Sequence, residues 1–98
     1  MRSYYSDYTQ HCLRFFFKFP NAKSFKTEVD KSNWICCRDV IYKLAEDEQF
    51  ALKSLYESGD TLSDSIYHFC KRQGIPQDGV WDLVRKVEAR IAKRRGLI

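Results

Sequence analysis

The chain lacks most of what would place it in a membrane, outside a cell or around a metal. No apolar run, Phe15-Phe16-Phe17 included, approaches the roughly 20 residues that cross a bilayer. The first residues are rich in tyrosine and have no apolar stretch of signal-peptide type, so a cytoplasmic chain with no membrane contact is expected. Only two prolines and four glycines interrupt the sequence, and there is no repeat or low-complexity linker. Residues 1–98 are therefore expected to form one domain, since a chain of this size buries roughly 60 to 65% of its unfolded surface. No segment alternates with the period of two that marks a strand.

The same test by absence applies to chemistry. His11-Cys12, Cys36-Cys37 and His68 with Cys70 supply nitrogen and sulfur, yet none has the spacing that presents two ligands to one tetrahedral ion. No metal or other cofactor is expected, and the four cysteines read as reduced thiols on apolar faces, with His68 at the surface. There is no Gly-rich phosphate loop, no paired histidine motif and no nucleophile with a base at recognisable spacing, so no catalytic residue is assigned and an enzyme is not expected. Asp39, Glu46 and Asp47 read as capping or solvated groups.

What is present is helical. Hydrophobic residues make up 44% of the chain, aromatics 15% and charged residues 31%, the balance of a soluble, folded protein. From Ser3 to Phe19, Tyr5, Tyr8, Cys12, Phe15 and Phe16 fall on overlapping helical rows. Leu13 and Phe17 widen that face, which points to a core helix with contacts on two sides and admits a homodimer or base stacking as alternatives. After Pro20, Thr27 with Asp30 signals a second start, and Trp34, Cys37, Ile41 and Leu44 follow at helical spacing. Glu46, Asp47 and Glu48 suit the positive end of a third helix carrying Phe50, Leu52, Leu55 and Tyr56, which stops at Ser58-Gly59-Asp60.

Residues 61–95 contain the pattern around which the rest is arranged. Thr61 and Asp64 begin a helix with Ile66, Phe69 and Cys70 inside. Gly74 supplies the positive φ of a helix end, Ile75 an apolar plug and Pro76 the start of the next helix. Val80, Leu83, Val84, Val87 and Ile91 then recur on one face. The pattern predicts a helix-turn-helix, with Cys70 small enough for the helix crossing. The expected fold is all-α, a bundle of about five helices with Trp34, Ile41, Leu55, Ile66, Cys70, Ile75, Val80, Leu83 and Val87 in one core.

Residues Glu46 to Gly96, about half the chain, resemble region 4 of sigma-70 family factors and their small relatives from phages and other bacterial mobile elements. The resemblance lies in the acidic start at Glu46, Tyr56 near a helix end, the Gly59-Asp60 turn, Gly74-Ile75 and the final basic helix. The whole chain also resembles small helical proteins of bacterial mobile elements for which no activity is established. The sigma-type resemblance implies transcription regulation, with double-stranded DNA and RNA polymerase or another protein as partners. Two departures stand out: the first helix of the motif is longer than usual, and two of the residues placed to face a major groove, Asp78 and Asp82, are acids.

Two functions compete on this sequence. In the first, Gln77, Trp81 and Arg85 read base edges, while Lys86, Arg90, Lys93, Arg94 and Arg95 hold phosphates. Six basic residues against one acid between Arg85 and Arg95 exceed what a helix dipole calls for, and Lys71 and Arg72 add to them. In the second, the same fold binds a protein through Trp81 and the acidic patch Glu46 to Glu48, without touching DNA. The net charge of +4 is modest for a nucleic-acid binder.

Overall fold

The computed structural model describes residues 4–98, and among these every regular element is a helix. They are α1 (Ser6–Lys18), α2 (Glu28–Tyr42), α3 (Glu46–Glu57), α4 (Leu62–Gln73) and α5 (Gln77–Arg94). The fold is all-α with five helices, as expected; the expected start of the first helix at Ser3 lies outside the described residues.

Local chemistry sets the helix ends. Thr27 accepts the Asp30 amide at 3.0 Å and Thr61 accepts the Asp64 amide at 3.3 Å, so both expected caps form. At α3, Ala45 has no side-chain acceptor, and the bond runs the other way: its amide donates to Glu48 Oε1 at 3.1 Å. Gly74 ends α4 at φ 67° and ψ 36°, with its amide and that of Ile75 both directed to the Cys70 carbonyl. The Cys70 thiol lies under the turn, 3.8 Å from the Pro76 carbonyl oxygen, where a larger side chain would hold the helices apart.

A single cluster of buried side chains draws on all five helices: Cys12, Leu13, Phe16 and Phe17 from α1, Trp34, Cys37 and Ile41 from α2, Leu52 and Leu55 from α3, Ile66 and Phe69 from α4, and Val84, Val87 and Ile91 from α5. Phe16 packs on Trp34 at 5.4 Å and Phe17 stacks on Tyr56 at 6.2 Å, so the aromatic stripe of α1 is mostly core rather than a stacking platform. Helix α5 touches each of the other four helices.

Two expected core positions, Ile75 and Leu83, and one residue of the expected apolar side of α3, Phe50, lie further out. Ile75 is 43% exposed: its amide and that of Gly74 each donate a hydrogen bond to the Cys70 carbonyl, and the Cys70 thiol rather than the Ile75 side chain fills the helix crossing. Phe50 is 56% exposed and rests on Phe69 at the rim. Leu83 is half-buried, since the inner face of α5 centres on Val80, Val84, Val87 and Ile91 and Leu83 lies at its edge.

Polar bonds close the shell around this core. Asn33, buried on α2, accepts from Tyr8 Oη at 2.9 Å and from Arg95 Nε at 2.7 Å, joining three helices at one amide. Trp34 Nε1 donates to the Phe19 carbonyl at 2.8 Å and caps the end of α1. Tyr4 Oη donates to the Leu97 carbonyl beside the end of α5.

Candidate nucleic-acid interface

The exposed face of α5 gathers some of the sequence-predicted residues and disperses others. Arg85, Lys86, Arg90 and Lys93 are all exposed and follow one another along the side of α5 opposite its core stripe. Asp78 and Asp82, also exposed, precede them, so the outward stripe is acidic at its beginning and basic along the rest. Gln77 is the first residue of α5 and accepts from Trp81 Nε1 at 3.4 Å. Trp81 itself is half-buried and packs against the core, so the exposed aromatic anchor of the sequence reading is only partly available.

Several cations are engaged within the molecule. Arg85 pairs with Asp82, three residues before it on the same helix. Lys86 Nζ lies 3.2 Å from Glu48 Oε2, bridging α5 to the first turn of α3. The Ala45 amide foremost, and then Lys86, hold the Glu48 carboxyl below its ordinary range, with Arg90 contributing from further off. Arg94 lies 3.6 Å from Asp39, which also pairs with Arg38, and Arg95 turns inward to Asn33. The six basic residues thus divide: Arg85, Lys86, Arg90, Lys93 and Arg94 are exposed, Lys86 and Arg94 while also pairing with acids of α3 and α2, and Arg95 turns inward. The exposed ion pairs are of the kind worth about 0 to 1 kcal/mol each, weak enough for phosphates to displace.

Beside this face lies a groove of about 970 Å³ that sequence reasoning did not anticipate. Tyr5, just before α1, and Gln10 and Arg14 of α1 line one side, and Trp81, Val84, Arg85 and Ala89 of α5 the other. Thr61 and Leu62 close one end. Arg14 donates to the carbonyls of Ser58 and Asp60 at 2.9 and 3.0 Å, fixing the α3–α4 loop against α1. Glu88, only 5% exposed, lines the groove and accepts from Ser6 Oγ at 3.2 Å. A signal for Glu88 was present: Val80, Val84 and Glu88 stand four apart, which puts an acid in line with the core stripe. Arg14 offered none, because the loop it holds is near only in space.

The four cysteines are buried and free. Burial pushes the Cys12 thiol up to about 11 and raises Cys36 and Cys37 as well, so none is poised as a nucleophile. Among the described residues no three histidines, cysteines or acids converge as a metal site requires, and no helix is long and apolar enough to cross a membrane. The chain matches no family model, no curated protein and no solved structure.

Proposed function

We propose that this chain is a sequence-specific DNA-binding transcriptional regulator of the sigma-70 region 4-like type, in which α4 and α5 are the two helices of a helix-turn-helix. The observation that supports this reading is the outward face of α5. Arg85, Lys86, Arg90 and Lys93 stand exposed on a helix that follows a three-residue turn, the shape and charge that suit a major groove. In this reading Gln77 and Arg85 reach base edges, Trp81 backs them, and Lys86, Arg90 and Lys93 hold phosphates. Arg94, exposed beside its pair with Asp39, can join them, while Arg95 is held inward by Asn33 and serves DNA only indirectly.

The test is duplex affinity as a function of salt. Arg90→Gln and Lys93→Gln should each weaken every sequence alike and flatten the salt dependence by about one unit. Arg85→Ala should cost about 1 to 3 kcal/mol on the preferred site and relax sequence preference. Asp78→Asn and Asp82→Asn should tighten binding by removing charges that repel phosphate. Weak binding with no response to any of these changes would refute the DNA reading.

A second reading, a protein-interaction module that keeps this fold without binding DNA, is favoured by one specific feature. Beside Arg85 and Lys86 lies a groove that mixes apolar and charged lining, which suits a protein segment rather than a duplex.

A further inference from the structure

We infer that the groove between α1, the first turn of α4 and α5 docks an acidic segment of a partner protein, anchored by apolar side chains. Among its polar lining residues, Leu62, Val84, Ala89 and the ring of Trp81 supply apolar surface for Leu or Phe anchors. At about 970 Å³ it lies at the upper end of the range of small-molecule pockets, roughly 300 to 1,000 Å³, and it suits a run of side chains better than a compact metabolite.

Charge decides the sign of the partner. Cations stand on both walls, Arg14 on α1 and Arg85 with Lys86 on α5, against one lining acid, Glu88, which lies inside and is held by Ser6. Two of the Arg14 N–H groups donate to neutral carbonyls, which carry no compensating charge. Arg85 and Lys86 are paired only through exposed bridges, which an incoming carboxylate can replace at little cost. A segment with its apolar residues on this apolar surface therefore meets guanidinium and ammonium groups on either side, and a basic segment of the same shape is repelled.

The groove shares Trp81, Arg85 and Lys86 with the proposed DNA face but not Arg90 or Lys93, so changes at Ala89 and Arg14 on one side and at Arg90 and Lys93 on the other separate the two readings. Three labelled helical peptides of about twelve residues, a length whose apolar face spans a groove of this kind, would carry the same Leu and Phe anchors and differ only in bearing Glu, Gln or Lys elsewhere. Titrated into the full chain, they should bind in the order Glu, Gln, Lys, with at least about a tenfold gap between the first and last. Trp81 emission should shift to the blue on binding, and Trp81→Phe should abolish the shift while Trp34, sealed in the core, stays silent. Ala89→Gln, which fills the groove from the surface of α5 without adding charge, should weaken the Glu peptide by about tenfold and leave duplex affinity unchanged. Arg14→Gln should weaken the Glu peptide but not the Gln peptide. The inference is overturned if the Lys peptide binds as well as the Glu peptide, if no peptide binds, or if Ala89→Gln has no effect. It is equally overturned if the site takes single-stranded oligothymidylate in preference to the Glu peptide, or if Trp81 responds to protein concentration alone, which would assign the groove to nucleic acid or to a second copy.

Discussion

Tyr56 presents a hydroxyl that is buried on α3 with no hydrogen-bond partner among the described residues. Its ring is well placed, stacked on Phe17 with the Arg14 guanidinium 6.0 Å from its centroid, so the aromatic body contributes and the oxygen does not. A buried, unsatisfied hydroxyl costs about 1 to 3 kcal/mol, and Tyr56→Phe should therefore leave stability unchanged or raise it in urea denaturation. A clear loss would mean that the oxygen is bonded. Leu52, with no exposed surface, should behave in the opposite way: Leu52→Ala should cost about 2 to 5 kcal/mol in the same experiment. Core leucines of this kind were legible because helical spacing reports which face is inward. Asn33 was not, because its two donors come from Tyr8 and from Arg95, 62 positions away, and nothing local marks it.

Among the elements, α4 with its terminal turn was the most legible. Thr61, Asp64 and Gly74 each perform locally the role their chemistry suggests, and local roles can be read from neighbours in sequence. Gly74→Ala isolates one of them, since an added Cβ would meet nothing within 4 Å and the whole cost is that of a left-handed backbone, about 1 to 2 kcal/mol. A thermal melt should show that loss, and an unchanged melting temperature would mean that the turn can relax. Thr61→Ala should cost about 1 kcal/mol through the lost cap. The candidate site was less legible than the motif that carries it. Sequence placed Arg85, Lys86, Arg90, Lys93 and Arg94 on one helix, but that Arg95 just beyond it turns inward depends on Asn33 of α2, whose approach only packing reveals.

For the molecule as a whole, the core is a store of protonated groups. Burial raises the Cys12, Cys36 and Cys37 thiols and the Tyr56 phenol above their ordinary values, so between pH 9 and about 11 the folded chain holds protons that the unfolded chain releases. The associated stability is complete below about pH 9, where unfolded thiols begin to ionise, and is lost as pH rises through the folded value of Cys12. Denaturation midpoints measured from pH 7 to 11 should be flat at first and then fall, and a rise above pH 9 would contradict the burial of these groups. The contact of α5 with each of the other four helices carries a consequence of timing. A ribosome delivers α1 to α4 before the helix they share, so until Val84, Val87 and Ile91 emerge, the faces of the four earlier helices that meet α5 stay without their cover, open to whatever chaperone waits at the tunnel exit.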